Sequence, residues 1–232
     1  MVGHIDSIET LGLVDGPGIR VVVFLQGCPL RCLFCHNPET WCINDKFLIT
    51  PDELIRHIYK YKNYFGPDGG VTFSGGEPLF QHDFLLECLK LCKKMGIHTC
   101  LDTSGSCTGY EDILKYVDLV IWDVKGLDNE GYKNMTGGNI DNSLRFLKYC
   151  QDNGNKMWIR QVIVPGINDN ISYINNLKEF IRPLKNVLRI ELLPYHLLGV
   201  SKYKQLGIKY KLDGVPAMDK CKCDELYKVL MS

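Results

Sequence analysis

The sequence lacks any excess of charge: 27 lysines and arginines balance 27 aspartates and glutamates over 232 residues. A nucleic-acid-binding surface shows as a basic excess or basic runs, so no nucleic-acid partner is expected. No run of 18 apolar residues occurs, which argues against a membrane-spanning helix and a membrane partner. The opening stretch MVGHIDSIETLGLVDG has no basic segment leading into an apolar core, so no export signal is read there and a cytoplasmic protein is expected. Low-complexity tracts, charge blocks and internal repeats are missing too. The chain reads as one domain over residues 1–232.

What is present in excess is cysteine, eleven residues in all. A disulfide framework requires an oxidising compartment and usually a chain too small to build a core. The odd count and the lack of an export signal speak against it. Cys88 and Cys92 recur at helical spacing with Phe84, Leu85, Leu91 and Met95, ahead of Gly96, and read as core filler on an amphipathic helix. Cys100 lies in the strand-like IHTCLD and Cys150 ends the helical SLRFLKYC, so both read as structural. Cys221 and Cys223 form an isolated C-x-C, and Cys42 and Cys107 belong to no pattern. Cys28, Cys32 and Cys35 remain.

Residues 20–26 (RVVVFLQ) are β-branched and apolar on both faces, as in a strand of a helix-covered parallel sheet. Thr50, Pro51 and Glu53 form a helix start with a capping box, predicting a helix over 50–64. Further strands are predicted at 70–73, 97–101, 119–122, 157–164 and 187–193. Helices are predicted at 82–95, 141–151, 172–181 and 219–231. Strand and helix thus alternate about six times, which predicts an α/β fold with a mainly parallel sheet. The polar and glycine-rich stretches GCPLRCLFCHN, SGGEP, DTSG, DVKG, PGIND and PYH all follow strands. In α/β folds ligands gather at those C-terminal strand ends.

The loop Cys28-Pro-Leu-Arg-Cys32-Leu-Phe-Cys35 follows the first apolar strand directly. A structural zinc site would want four ligands, and His36 is poorly placed to join Cys35. Thiolates also suit iron–sulfur clusters, normally held by four cysteines. Three with no evident fourth imply a cluster with one iron left open. Arg160 sits inside WIRQVIV, where charge is costly unless paired, so a carboxylate partner is expected. Asp102 and Asp123 end successive strands and would repel one another unless a proton or cation intervened.

This loop, with Ser74-Gly75-Gly76-Glu77-Pro78, resembles the radical S-adenosylmethionine (SAM) superfamily. The likeness narrows to the pyruvate formate-lyase activating enzymes and covers nearly the whole chain. It is carried by VDGPGIR (14–20), QGCPLRCLFCHNPETW (26–41), VTFSGGEP (71–78), GIHTCLDTSG (96–105), DLVIWDVK (118–125), WIRQVIVPG (158–166), IELLPYHLLG (190–199) and YKLDG (210–214). Only Cys42 lies between Cys35 and Ser74, so a second cluster is not expected.

The resemblance implies a partial (β/α)6 TIM-like barrel with a radical SAM core. It implies a 4Fe–4S cluster on Cys28, Cys32 and Cys35, with SAM chelating the open iron. Reductive cleavage of SAM would then give methionine and a 5′-deoxyadenosyl radical, which abstracts hydrogen from a backbone glycine of pyruvate formate-lyase. Phe34, Cys35, His36, Gly75, Gly76, Glu77, Asp123, Val124, Lys125, Arg160 and His196 are implied around SAM, the two glycines by letting the backbone approach the methionyl amine. The SAM carboxylate is a candidate partner for Arg160. Asp102, Thr103, Asp123 and the Ile121 carbonyl are implied to hold a monovalent cation, sodium or potassium. Asp15 and Gly16 would hold the substrate peptide. Flavodoxin or ferredoxin is implied as electron donor, and a monomer is the simplest expectation. The radical takes a whole hydrogen atom, so no catalytic base is expected.

Overall fold

The computed structural model describes residues Met1–Ser232. Its centre is one eight-stranded sheet in the order β3-β1-β2-β4-β5-β6-β7-β8. Six strands run parallel: β2 (Arg20–Leu25), β4 (Gly70–Gly75), β5 (His98–Thr103), β6 (Leu119–Asp123), β7 (Met157–Ile163) and β8 (Val187–Pro194). β1 (Gly3–Gly12) and the two-residue β3 (Leu48–Ile49) add antiparallel pairings at one edge. The sheet does not close, since β3 and β8 remain edges. Six parallel strands with intervening helices make the expected partial barrel.

The helices are α1 (Pro51–Tyr59), α2 (His82–Lys94), α3 (Tyr110–Leu114), α4 (Asn129–Thr136), α5 (Asp141–Asp152), α6 (Ile171–Ile181), α7 (Val200–Gln205) and α8 (Lys220–Met231). Those from α1 to α6 connect the parallel strands, and two more, α7 and α8, follow β8. The Thr50 capping box is formed, with Glu53 N–H donating to Thr50 Oγ1 and Thr50 N–H to Glu53 Oε2. The helix predicted over 50–64 nevertheless ends at Tyr59, and a separate 3-10 turn covers Lys62–Tyr64. The 20–26 and 119–122 runs are strands buried on both faces. Val21, Val23, Val71, Phe73, Leu101, Val120 and Trp122 join Cys88, Cys92 and Cys150 in one large apolar cluster.

Side chains on a strand alternate faces, so register decides what the barrel interior holds. Val22, Thr72 and Cys100 are aligned, with Leu119 beside Cys100. One step higher stand Phe24 and Ser74, and Asp102 pairs with Ile121. Asp123 lies two residues beyond Ile121, on the same face, and pairs with Arg160. The interior therefore grades from an apolar floor of Cys100, Leu119, Ile121 and Trp158 to a charged rim.

Fully buried Arg20 closes the N-terminal end of this interior without a carboxylate partner. Its guanidinium donates to Thr72 Oγ1 (2.7 Å), the Val71 carbonyl (2.7 Å) and the Pro17 carbonyl (2.8 Å). Thr72 Oγ1–H in turn donates to the Asp15 carbonyl at 2.5 Å, which ties the 14–19 loop to the barrel. Five elements carry no sequence-based expectation: β1, whose burial alternates weakly, the two-residue β3, and the short helices α3, α4 and α7.

Candidate functional site

The cysteine loop leaves β2 through Gly27, whose φ of +91° and close contact with the Phe80 ring both require glycine. The loop has little regular structure and is held by backbone bonds from both sides. Gly27 N–H donates to the Thr40 carbonyl (2.8 Å) and Cys28 N–H to the Trp41 carbonyl (3.2 Å). On the other side Arg31 N–H and Leu33 N–H donate to the Thr136 and Met135 carbonyls at the end of α4, at 2.8 and 2.9 Å. All eleven cysteines are free thiols.

Cys28, Cys32 and Cys35 line one cavity of about 260 Å³. Facing them are Ser74, Gly75, Gly76, Asp102, Thr103, Asp123, Lys125 and Arg160, with Phe34 and His36 beside them. Burial raises all three thiol pKa values, that of Cys32 to about 11. No three His, Cys, Asp or Glu side chains converge as ligands of a single ion would. In a polynuclear cluster each thiolate binds a different iron, so the three need not converge on one point. The donor set of three soft thiols in a cleft with polar walls fits a 4Fe–4S cluster with one open iron. Around Cys35 stand two aromatic donors that the sequence left without a role. Trp41 Nε1–H donates to its Sγ at 3.3 Å and Tyr203 Oη–H to its carbonyl at 2.9 Å.

The glycines of SGGEP are required by the packing of the protein itself. A Cβ on Gly75 would lie 2.3 Å from Leu25 N, and one on Gly76 2.5 Å from the Gly27 carbonyl oxygen. The close approach is thus to β2 and the cysteine loop, which they pull against the β4 turn. Glu77 does not line the cavity. Its buried carboxylate turns into the wall and accepts from Thr103 Oγ1 (2.5 Å), Ser104 Oγ (2.6 Å), Ser104 N (3.0 Å) and Leu79 N (3.3 Å). Burial raises its pKa, against the pull of those hydrogen bonds.

On the opposite wall Lys125 Nζ pairs with Asp123 Oδ2 at 2.8 Å and sits 5.0 Å from the Phe34 ring centroid. Val124 is buried and outside the cavity lining. Asp102 accepts from Ser74 Oγ at 2.8 Å. Burial, reinforced by the Asp123 charge, raises its pKa to about 7. Lys125 offsets the charge of Asp123, and burial shifts Asp102 towards its neutral form. Ile121 lies in the apolar floor below. The carboxylate that buried Arg160 requires is Glu191, whose Oε2 lies 2.7 Å from its Nε. Its Nη2 donates to the Val14 carbonyl, which closes the 14–19 loop over the rim.

His196 lies just outside the main cavity, in an adjoining cleft with Gly16, Trp158, Arg189 and Glu191. Asp15, His36 and Arg160 line both spaces. The rings of His36 and His196 stack with centroids 3.8 Å apart, and His36 Nε2 donates to the His196 carbonyl at 3.1 Å. Burial, then the neighbouring imidazole, lowers the His36 pKa to about 4, so the ring is neutral at pH 7. Exposed Leu13, Val14 and Leu198 surround this part of the surface.

The chain is similar to known proteins over nearly its whole length. A model of the radical SAM superfamily matches residues 22–177. The pyruvate formate-lyase-activating enzyme of Clostridium pasteurianum is 50% identical over 99% of this chain and 98% of its own length. That of Staphylococcus epidermidis is 44% identical over 97% of this chain and 94% of its own. Among solved structures, Streptococcus suis SuiB bound to precursor peptide SuiA superposes with a TM-score of 0.68 at 20% identity, over 89% of this chain and 44% of SuiB.

Proposed function

The chain belongs to the radical SAM superfamily and, within it, to the pyruvate formate-lyase-activating enzymes, and on that premise we propose that it installs a glycyl radical in pyruvate formate-lyase. When bound, the 4Fe–4S cluster and SAM supply the chemistry, reductive cleavage to methionine and a 5′-deoxyadenosyl radical that takes hydrogen from a backbone glycine. The observation that carries this reading is the single cavity in which three thiols face the SGG turn.

Residues of the chain bind, orient and shield. Cys28, Cys32 and Cys35 hold the cluster. Gly75 and Gly76, with Cβ directions turned into the protein, offer their other side to the methionyl end of SAM. Phe34 and His36 flank its adenosyl part, with His196 backing His36 by stacking. Lys125, neutralised by Asp123, contributes a fixed donor. Arg160 contributes its remaining N–H groups, and Val124 its backbone. Glu77 acts from behind, by positioning Thr103 and Ser104 at the cavity wall. A monovalent cation would use Asp102, Asp123 and carbonyl or hydroxyl oxygens of Ile121 and Thr103. The adjoining cleft beside Asp15 and Gly16 takes the glycine loop of the partner, its exposed leucines covering the peptide and excluding water.

The one-electron donor is a flavodoxin or ferredoxin, and the enzyme works as a cytoplasmic monomer formed by one domain over 1–232. The deciding experiment is electron paramagnetic resonance (EPR) of the reconstituted protein with SAM, a reductant and pyruvate formate-lyase. A glycyl radical on the partner is the expected result. Cleavage of SAM with hydrogen drawn only from a small metabolite would overturn the partner assignment.

A further inference from the structure

Tyr132, on α4, is buried with 1% exposure, and its hydroxyl is one of three buried side-chain polar atoms in the protein without a hydrogen-bond partner. An orphaned buried hydroxyl costs free energy unless something satisfies it, and such groups call for a missing ligand. Its surroundings say which ligand. Tyr132 packs with Leu30 and Ile140 in a small cluster against which Cys28 and Cys32 rest. The carbonyls of Met135 and Thr136, one turn further along α4, receive the N–H groups of Leu33 and Arg31. Gly138 adds to the close fit, since a Cβ there would lie 2.6 Å from Leu30 Cδ2 and 3.6 Å from Tyr132 Cε1. Tyr132 thus lies beneath the two cysteines, while Trp41 already serves the third through an N–H···S bond.

We propose that Tyr132 Oη–H is a hydrogen-bond donor to the iron–sulfur cluster, directed at a sulfur on its Cys28–Cys32 side, and that it raises the reduction potential of the cluster. The inference rests on the cluster assignment above. A donor to sulfur stabilises the reduced, more negative state over the oxidised one, and hydrogen bonds to sulfur are a recognised determinant of such potentials. No proton is transferred: the electron comes from the external one-electron donor and the O–H stays on the phenol. Tyr132 is a positioning and tuning residue, with no contact to SAM required.

The test is Tyr132→Phe, studied in metal-free and anaerobically reconstituted protein without SAM. In the metal-free protein the change removes an unsatisfied hydroxyl, so the melting temperature holds or rises. In the reconstituted protein an EPR-monitored redox titration is expected to show the reduced-to-oxidised ratio at fixed poise falling about threefold to tenfold, tenfold being 59 mV for one electron. An exchangeable proton coupled to the reduced cluster should also vanish from the electron–nuclear double resonance spectrum. Replacing Tyr132 by 3,5-difluorotyrosine, a stronger donor of the same shape, should move the potential the other way, and it serves as the test if the Phe variant takes up iron poorly. An unchanged midpoint and proton spectrum in a fully loaded variant overturns the inference. Failure of the wild-type protein to assemble a cluster would instead overturn the functional reading on which it rests.

Discussion

Glu77 offers the sharpest separation of two roles, cofactor ligand and wall strut. In the structure its Oε1 accepts from Thr103 Oγ1 and Leu79 N, and its Oε2 from Ser104 N and Ser104 Oγ. Glu77→Gln keeps the shape and replaces one acceptor oxygen by an NH2 donor. A hydroxyl can rotate to accept from that donor, but a backbone N–H cannot. The amide therefore points its NH2 at the Leu79 side, where the bond lost is the 3.3 Å one, and keeps its oxygen on Ser104 N. The expected cost is one broken backbone bond plus weakened charge-assisted ones, about 1–2 kcal/mol. For a chain of this length that is about 2–8 °C in melting temperature. Glu77→Ala strands both backbone N–H groups and opens a void, for about 3–5 kcal/mol.

The assay is thermal unfolding of the metal-free protein beside SAM binding by equilibrium dialysis to the reconstituted one. If Glu77 is a strut, Glu77→Gln loses stability and retains most SAM affinity. The pH dependence has a definite sign. Burial holds the folded pKa of Glu77 above its ordinary value, so the native state binds more protons in that window. Wild type then gains stability on the Gln variant as pH falls through the raised pKa, and the deficit widens towards acid. A Glu77→Gln protein with the wild-type melting temperature and no SAM binding would refute this reasoning and place the carboxylate on the cofactor.

Three further outcomes follow from the geometry. Serine at Cys28, Cys32 or Cys35 should each abolish most cluster iron after anaerobic reconstitution, whereas Cys42→Ser, Cys107→Ser and Cys221→Ser should keep it, read by iron and sulfide content per chain. Gly75→Ala places a Cβ 2.3 Å from Leu25 N at a φ of +112°, so strain and overpacking together should cost about 2–6 kcal/mol in denaturant unfolding. His98 is half-buried beside Arg20, which can only donate, so Nδ1 accepts at 3.2 Å and the ring is neutral. Burial and then that guanidinium lower its pKa below about 6.5. Its stabilising contribution is present above pH 6.5 and is lost as pH falls through the folded value. The metal-free protein should weaken over that range, and His98→Gln should flatten part of the slope in urea titrations at stepped pH.

These side chains also mark where local sequence stops being informative. The six parallel strands were legible because runs such as RVVVFL are apolar on both faces, a pattern few other environments tolerate. The three cysteines were legible because their spacing is local. β1 was not, since only Gly3 and Ile5 of its ten residues are buried and its partner β2 is supplied from further along the chain. α4 was hidden because eight residues give too little periodic signal, and its value lies in contacts with a loop about 100 positions earlier. Tyr132 and Trp41 accordingly carried no expectation.

Side-chain direction is the deeper boundary. Arg160 was legible as a buried charge that needed a carboxylate, and the physics of desolvation was sufficient for that much. Which carboxylate answered it depended on β8 lying beside β7 in the register that pairs Arg160 with Glu191. The same limit applies to Gly75, Gly76 and Glu77. Their residue types announce a tight, polar turn, and that turn was found. Yet the glycines are demanded by the backbone of β2 and the cysteine loop, and the carboxylate by the end of β5. A motif thus records both the residues that meet a ligand and those that hold the wall behind it, and only the fold tells them apart. Here the wall is dense with fixed hydrogen bonds, which lets a cavity of about 260 Å³ present charged groups without collapsing onto them.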